Sequence, residues 1–299
     1  MKEFYAVFGN PILHSKSPQL FNAAFDFYKS ESFYTRIKAT NCEEIVKFIR
    51  EFDIKGSNIT TPFKEEVISY LGDISEEAKE IGAVNTIVYK YDELKGYNTD
   101  YLGVVRSVAE VGISVEGKNC LVIGAGGAAR AAVFGLLREG AKVYISNRTI
   151  ERAKDIAFFF DCEVIPLDEL RSTSVKFDVI VSTLLPDVEV PLGCLSGCEL
   201  FLDANYRVSR MASQVSAAGI KVIKGDRWLI NQAIGAFSIF FGFEPEKHLF
   251  EAGFSIEMNY QNCKVGIINP DERNKVKDLS YDLVVTSDHL FREEISLIK

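Results

Sequence analysis

The chain has 299 residues, of which 47% are hydrophobic, 12% aromatic and 25% charged, a composition typical of a globular protein and not of a disordered or collagen-like one. Its 34 basic and 42 acidic residues give a formal net charge of −8, which argues against a broad nucleic-acid-binding face. No apolar run reaches the roughly 18 residues that a membrane span needs.

Cysteine usage points to a reducing environment. Six cysteines are scattered without a Cys-x-x-Cys pair, and the three histidines are widely separated. This pattern predicts neither a zinc site nor a disulfide framework. The amino-terminal residues also lack the apolar segment of a secretory signal. We therefore predict a cytoplasmic protein with reduced thiols and no metal, which contacts neither nucleic acid nor membrane.

The first hundred residues alternate between strand-like and helix-like segments, which predicts an α/β fold with largely parallel sheets. The predicted strands are 4–8, 33–37, 56–60, 83–89 and 94–97, and the predicted helices are 18–28, 42–52, 62–71 and 75–81. Residues 90–93 join the last two strands as a hairpin at one edge of the sheet.

A helix over 101–111 leads into a second α/β pattern, with strands at 119–123, 142–146, 179–182, 199–203 and 221–223 and a helix at 129–139. Residues 231–250 are apolar helices that must pack on another element, which we expect to be the first domain. The residues beyond about 253 resemble a small strand–helix–strand–helix appendage. We predict two α/β domains separated by a cleft, the second a Rossmann-type doubly wound parallel sheet.

A glycine-rich turn separates the strand at 119–123 from the following helix. The turn has the pattern G-x-G-x-x-A and comprises Gly124, Ala125, Gly126, Gly127, Ala128 and Ala129. The first glycine permits the tight turn, the second lets backbone approach a pyrophosphate, and the small final residue allows close helix–strand packing. The helix N-terminus adds unpaired N–H groups for the phosphates. Glycine turns also occur for packing alone, but the strand–turn–helix context favours a dinucleotide site.

The end of the next strand favours NADP over NAD. It runs into Asn147, Arg148 and Thr149, with Arg152 one helical turn further on. No acid stands where it would repel a 2′-phosphate, and two guanidinium groups stand where they could hold one. The alternative is a pair of solvated arginines at the start of a helix. A lost charge-assisted bond is worth roughly 1.5–3 kcal/mol, so a preference of about one to two decades is expected.

Polar residues in the first half suggest an anion site and a proton-transfer group. Ser15 and Ser17 stand at a predicted helix N-terminus, where two hydroxyls suit a carboxylate, although Ser17 as N-cap explains the pattern equally well. Lys64 falls at N3 of the predicted helix 62–71, where the helix dipole opposes an ammonium and favours loss of its proton. The alternative is a surface lysine paired with an acid.

Two further polar residues can be explained by a purely structural role. Asp100 precedes the helix at 101–111 and, taken alone, is best explained as its N-cap. Asn85 lies with Thr86 in an otherwise apolar strand, where a buried amide needs partners. A substrate hydroxyl or a neighbouring backbone group would serve.

Seven motifs together resemble the shikimate dehydrogenase family: GNPILHSKSP, GSNITTPFK, IGAVNT, GYNTDYLG, VIGAGGAAR, SNRTIER and NQAIGAF. They occur in the family's order and cover about residues 3–250. The resemblance implies that residues 1–102, with returning helices 231–254, form the substrate-binding catalytic domain. Residues 103–230 would form the NADP-binding domain, and 255–299 an extension of unknown role beyond the family's usual end.

The resemblance also implies a role for each matching residue. Lys64 and Asp100 would be the catalytic pair, and the substrate carboxylate would bind Ser15 and Ser17. The remaining substrate contacts would be Asn58, Thr60, Asn85, Tyr206 and Gln232. The glycine turn with Asn147, Arg148, Thr149 and Arg152 would hold NADP. The implied reaction is reversible NADPH-dependent reduction of 3-dehydroshikimate to shikimate, by a monomer or homodimer.

The chain departs from the family pattern at several positions. Val181-Ser182-Thr183-Leu184 replaces the usual Asn-Ala-Thr-Pro, and Trp228 stands where Met is common, a position the resemblance puts against the nicotinamide. The residues after Tyr206 lack the family's usual Pro and Thr. Two alternatives therefore accompany the main hypothesis: a broader quinate/shikimate dehydrogenase, which Arg148 disfavours, and a catalytically silent sensor of shikimate-type metabolites, which the presence of Lys64 and Asp100 disfavours.

Overall fold

The computed structural model describes residues 3–188, 192–195, 197–206, 209–257, 265–267 and 281–285. The chain divides into a first unit, Met1–Thr99 with Ala233–Lys299, and a second unit, Asp100–Gln232. The predicted boundaries were residues 102 and 230. Each unit contains a sheet rich in parallel strands together with helices, so the predicted α/β fold class is confirmed.

The strands and helices agree closely with the periodicity of the sequence. The strands are β1 (Phe4–Gly9), β2 (Phe33–Lys38), β3 (Gly56–Ile59), β4 (Asp73–Ile74), β5 (Thr86–Lys90), β6 (Glu93–Tyr97), β7 (Asn119–Ile123), β8 (Lys142–Ser146), β9 (Glu163–Val164), β10 (Val179–Ser182), β11 (Leu200–Asp203), β12 (Lys221–Ile223), β13 (Val265–Ile267) and β14 (Leu283–Val285). The α-helices are α1 (Ser17–Phe27), α2 (Cys42–Glu51), α3 (Glu76–Ile81), α4 (Asp100–Ala109), α5 (Gly127–Arg138), α6 (Ile150–Phe160), α7 (Arg210–Ala217), α8 (Gly225–Phe241) and α9 (Lys247–Ser255). Among the residues described here, no helix is both long and apolar enough to cross a membrane.

The first unit is built on an eight-stranded sheet of order β13-β14-β2-β1-β3-β5-β6-β4. Strand β1 pairs in parallel with β2 and β3, whereas β5 runs antiparallel to β3 and β6. The predicted β5–β6 hairpin is present, but its place at the edge is wrong, because the short β4 pairs with β6 beyond it. Strand β14 pairs with β2, so the carboxyl-terminal strands extend this sheet and are not a separate appendage.

An aromatic cluster packs the returning helices into the first unit. Phe21 of α1 stacks on Tyr34 of β2 with centroids 4.4 Å apart, and Phe237 of α8 and Phe250 of α9 pack against Phe21. Gly253 lets α9 approach α1 closely, because a Cβ at this position would lie 2.6 Å from the Gln19 carbonyl oxygen. The apolar run at 231–250 therefore finds the burial that its composition requires.

The predicted α-helix over residues 62–71 is wrong. Residues 61–65 form turns, and only Glu66–Tyr70 are helical, as a 3-10 segment. The Lys64 carbonyl accepts a hydrogen bond from the Val84 N–H at 2.7 Å, so it does not serve an α-helix ladder. This tertiary bond outweighs the local helix signal, and Lys64 therefore precedes the helical segment and does not occupy its third position.

The second unit is a six-stranded sheet of order β12-β11-β10-β7-β8-β9 in which every pair is parallel. From β7 the chain proceeds outwards through β8 and β9, then crosses to β10 on the other side. This reversal makes the carboxyl ends of β7 and β10 a topological switch point, where open α/β sheets bind their ligands. The Rossmann-type prediction is therefore confirmed as a fold.

Trp228 of α8 packs on Gly103 of α4 within the second unit. Its side chain is buried, with 5% exposed, and belongs to the unit's hydrophobic core. A Cβ at Gly103 would overlap the indole ring and lie 2.8 Å from the Trp228 carbonyl oxygen. The close approach of the two helices therefore requires glycine at this position.

Gly103→Ala is expected to lower the free energy of unfolding by about 1–3 kcal/mol, because the added methyl group overpacks the α4–α8 contact. Chemical denaturation monitored by circular dichroism measures the change. The matched control is Gly126→Ala, where an added Cβ meets open space and φ is −112°. Equal stability of the two variants would contradict this account of the helix contact.

Candidate active site

Ser15 and Ser17 come together at the start of α1. Their hydroxyl oxygens lie 3.3 Å apart, and the Ser17 N–H donates to Ser15 Oγ at 3.4 Å. The predicted N-cap role of Ser17 is wrong, because the helix begins at Ser17 and Lys16 holds the cap position without a side-chain bond. Ser17 therefore does not cap the helix, and both hydroxyls stand at its positive end, a geometry suited to a carboxylate.

Asn58 and Thr60 lie at the end of β3, beside the loop that follows β1. Asn58 is buried: its amide nitrogen donates to the Asn85 carbonyl at 3.1 Å and to Thr86 Oγ1 at 3.0 Å, and its amide oxygen accepts from the Tyr34 hydroxyl at 2.7 Å. Both amide hydrogens thus serve the fold, and only the oxygen keeps capacity for another donor. Half-buried Thr60 lies close to Gly9, where a Cβ would overlap its methyl group.

Asn85 is a buried link between strands and the segment before α4. Its amide oxygen accepts from the Thr99 N–H at 2.8 Å and from Thr86 Oγ1 at 2.9 Å, and its amide nitrogen donates to Thr99 Oγ1 at 3.0 Å. Its backbone carbonyl accepts from the Ile59 N–H at 2.8 Å. The structure therefore provides a neighbouring backbone N–H and two threonine hydroxyls as partners, and the contact with a substrate hydroxyl stays a prediction.

Lys64 and Asp100 each stand at a fixed point of the backbone. Lys64 is half-buried in the first unit, and its carbonyl is bonded to Val84. The predicted placement of Lys64 at the third position of a helix is wrong, because the helical segment begins at Glu66. Asp100 is 5% exposed and begins α4 as its first residue, so the alternative of Asp100 as the N-cap preceding that helix is not observed.

Gln232 and Tyr206 lie in the second unit. Gln232 is 8% exposed, and its amide nitrogen donates to the Leu229 carbonyl at 3.0 Å within α8. Tyr206 is half-buried at the end of the described segment 197–206. Their predicted contacts with substrate stay predictions.

The glycine-rich turn has the geometry that a dinucleotide site needs. Gly124 has φ +121°, in a region that favours glycine, and a Cβ here would overlap Thr183 Oγ1. Gly126 precedes α5, and a Cβ on it would meet open space, so backbone N–H groups at the helix start are accessible to an anion. Ala129 is fully buried against the sheet. Thr183, in one of the departures from the family pattern, bonds the Ile123 carbonyl through both its N–H (2.9 Å) and its hydroxyl (3.1 Å).

A cavity of about 500 Å³ adjoins the end of β8. It is lined by Asn147, Arg148, Ile150, Pro166, Leu167 and Asp168. The Asn147 amide donates to the Thr149 carbonyl at 2.9 Å, which holds the turn into α6. Arg148, Thr149 and Arg152 are exposed, and of these only Arg148 lines the cavity. A guanidinium beside an open cavity at the end of the second strand fits a 2′-phosphate.

Asp168 is the functional candidate that the sequence analysis missed. It lies in the loop after β9, 20 positions from Arg148, and lines the same cavity. The sequence prediction considered only the residues that follow β8, and in the folded chain an acid also lines this cavity. Only the pairing of β8 with β9 brings the loop after β9 to this end of the sheet.

Three of the thiols that the structure describes are poor nucleophiles because they are buried. Cys42, Cys120, Cys162 and Cys198 are reduced and not joined in disulfides. Burial raises the pKa of Cys42 and Cys120 to about 12 and that of Cys162 to about 11, so these three stay protonated near neutral pH. No group of His, Cys, Asp or Glu among the described residues could hold a metal ion.

A parallel doubly wound unit with an open glycine turn at its switch point defines a dinucleotide-binding protein. The family described as "Shikimate dehydrogenase substrate binding domain" matches residues 7–87, and "Shikimate / quinate 5-dehydrogenase" matches residues 106–187. A shikimate dehydrogenase (NADP(+)) of Caldicellulosiruptor saccharolyticus is 33% identical over 259 residues, covering 81% of this chain and 92% of that protein.

Solved structures agree with these matches. Shikimate dehydrogenase from Aquifex aeolicus is 32% identical with a TM-score of 0.77, covering 85% of this chain and 98% of that one. The Thermus thermophilus enzyme, solved in complex with NADP(H) and shikimate, is 31% identical with a TM-score of 0.75, covering 84% and 98%. The chain belongs to the shikimate dehydrogenase family.

Asn85→Ala is expected to lower the free energy of unfolding by about 2–4 kcal/mol, because several buried bonds are lost and the Thr99 N–H loses its partner. Chemical denaturation measures the loss. Asn147→Ala is the matched control: its side chain is half-exposed with one bond to the Thr149 carbonyl, and a change below about 1 kcal/mol is expected. A similar loss of unfolding free energy in both variants would show that the Asn85 hydrogen bonds stabilise the fold no more than the single Asn147 bond.

Proposed function

We propose that this protein catalyses the reversible NADPH-dependent reduction of 3-dehydroshikimate to shikimate, a step of aromatic amino-acid biosynthesis. The observation that carries the proposal is the family match across both units at 32–37% identity to proteins named shikimate dehydrogenase (NADP(+)). The accessible glycine turn, the Arg148 cavity and the paired serine hydroxyls supply compatible chemistry. We further propose that it acts in the cytoplasm, as a monomer or homodimer.

Substrate recognition in this proposal begins at the carboxylate. The Ser15 and Ser17 hydroxyls lie at the positive end of α1, and their oxygens are 3.3 Å apart. Both would donate to the oxygens of one carboxylate. Thr60, Tyr206 and Gln232 would contact ring hydroxyls. Asn58 would act mainly by orienting its neighbours, because both of its amide hydrogens are donated within the fold. Asn85 donates to Thr99 Oγ1 and would contact a ring hydroxyl beside that bond.

Proton transfer is assigned to Lys64 and Asp100. The ketone oxygen gains negative charge as its carbon is reduced, so a positioned acid lowers the barrier. Lys64 would give its proton to this oxygen and take it back in the reverse direction. Asp100 would bind the same oxygen region and keep the ammonium oriented.

The second unit would hold NADP. The nucleotide supplies the hydride when it is bound, and the protein supplies position and polarity. The backbone N–H groups after Gly126 would bind the pyrophosphate. Arg148, with Asn147, Thr149 and Arg152, would bind the 2′-phosphate through charge-assisted bonds.

Asp168 favours a second candidate, a broader quinate/shikimate dehydrogenase that also accepts NAD. Its carboxylate lines the Arg148 cavity, where it would repel a 2′-phosphate and could accept a ribose hydroxyl. Arg148 opposes this candidate. The relative rates with the two nucleotides decide between them.

Lys64→Ala is expected to lower kcat for shikimate oxidation by about 100-fold to 10,000-fold, the usual contribution of a general acid or base, with a smaller effect on KM. The assay follows nicotinamide absorbance with NADP and NAD in parallel. Lys79→Ala serves as the control, since Lys79 is an exposed lysine paired with Glu76. A wild-type protein that binds NADPH but never turns over shikimate or quinate would instead be the sensor.

Arg148→Gln is expected to reduce the ratio of kcat/KM for NADP to that for NAD by about 10-fold to 100-fold, because a charge-assisted bond to the 2′-phosphate is lost. Asp168→Asn is the opposing variant and should raise the same ratio by removing a like charge. The ratio is measured at saturating shikimate. An Arg148 variant with an unchanged ratio would refute the assigned nucleotide contact.

A further inference from the structure

Strand β2 carries polar side chains that are completely covered. Thr35, Arg36 and Lys38 are each at most 2% exposed. Charged residues are typical of exposed edge strands, and β2 would be an edge strand without the carboxyl-terminal segment. Here β14 pairs with β2, with Val284 opposite Ile37, and Val284 is buried in the same core cluster as Ile37. The carboxyl-terminal segment thus converts a polar edge into the interior of a sheet.

Arg36 connects this segment to the serine pair. Its Nε donates to the Ser15 carbonyl at 2.8 Å, and Nη1 donates to the Asp282 carbonyl at 3.1 Å. Nη2 donates to Ser15 again and to Gln19 Oε1. The neighbouring Thr35 hydroxyl donates to the Tyr281 carbonyl. One planar guanidinium group therefore bonds both the Ser15 backbone and the segment that begins the covering strand.

A second cation bonds the same loop to the end of α9. Lys16 lies between the two serines, and its ammonium donates to the Ile256 carbonyl at 2.7 Å and to the Phe254 carbonyl at 3.3 Å. Burial and the positive charge of Arg36 lower the pKa of Lys16, while Glu257 raises it. Because Arg36 donates twice to the Ser15 carbonyl, its positive charge lies beside the loop in which a carboxylate would sit between Ser15 and Ser17.

We propose that Arg36 is a positioning residue for the substrate carboxylate, and that strand β14 holds Arg36 in place for this task. This inference rests on the proposed function, since it assigns the support of the Ser15–Ser17 site. Arg36 fixes the Ser15 carbonyl and so presents the Ser15 hydroxyl beside Ser17, and its buried charge favours an anion there. A site whose supporting bonds are already made loses less ordering entropy when it binds its ligand.

The test measures steady-state kinetics of the full chain with Arg36→Met and Arg36→Lys. Arg36→Met is expected to raise KM for shikimate about 10-fold or more, with kcat changed less than about threefold and KM for NADP unchanged. Arg36→Lys keeps the positive charge but loses the planar fork of guanidinium donors, and it should recover part of the loss. For methyl shikimate, which lacks the carboxylate charge, the change in KM should be much smaller.

The role of β14 is tested by Val284→Asp, which places a charge in the core contact that docks the strand. This variant should raise KM for shikimate as Arg36→Met does. The double variant should raise KM no further than the single variant with the larger effect, because both changes act through the same support of Ser15. Phe48→Leu is the control for lost stability. Phe48 lies in the same core cluster as Val284, and the hydrogen bonds of Arg36 described above do not involve it.

Each outcome decides a separate point. A wild-type protein that does not turn over shikimate overturns the proposed function and this inference with it. A wild-type protein that is active, with folded Arg36 variants whose KM for shikimate is unchanged, overturns this inference alone. The inference also fails if KM rises equally for shikimate and methyl shikimate, or if Phe48→Leu matches Val284→Asp.

Discussion

The buried amide of Asn85 joins the parts of the first unit that carry its functional groups. Its oxygen accepts from the Thr99 N–H, the residue before Asp100, and its carbonyl accepts from the Ile59 N–H at the end of β3. The adjacent Val84 N–H bonds the Lys64 carbonyl at 2.7 Å. The backbone positions of Lys64 and Thr99 thus both depend on one short segment. Because the amide is buried, each of its bonds is costly to lose, which makes the segment rigid.

In the second unit, the main constraint is that the backbone N–H groups at the start of α5 stay accessible. Gly124 adopts a conformation that other residues rarely reach, and Thr183 fills the space that a side chain there would need. The Thr183 hydroxyl and N–H both bond the Ile123 carbonyl, so the one residue of this segment that matches the family pattern secures the strand end. The start of α5 stays open to an anion. Trp228, which also departs from the family pattern, packs on Gly103 of α4, where a side chain would overlap the indole ring.

Local patterns predicted the elements well where hydrophobic periodicity decided them, and β7 at 119–123 and β8 at 142–146 are where the pattern placed them. They failed where a distant group competed for a backbone carbonyl. Thr61-Pro62 signals a helix start, but the bond from Val84 to Lys64 leaves only a 3-10 segment at Glu66–Tyr70. Ser17 likewise carries the signal of an N-cap and yet lies inside the helix. A side-chain oxygen at the start of a helix gives the same sequence pattern whether it caps the helix or binds a ligand.

The sequence by itself determined the two α/β patterns, the glycine turn and the family, because these depend on residue types at short spacing. Only the tertiary structure decided what lies beside them. It brought Asp168 to the Arg148 cavity through the pairing of β8 with β9, and it laid β14 against β2 so that Arg36 became a buried link between Asp282 and Ser15. Strand pairing across long stretches of chain is set by the burial of whole faces and by backbone bonds. No local spacing of residues encodes either partner.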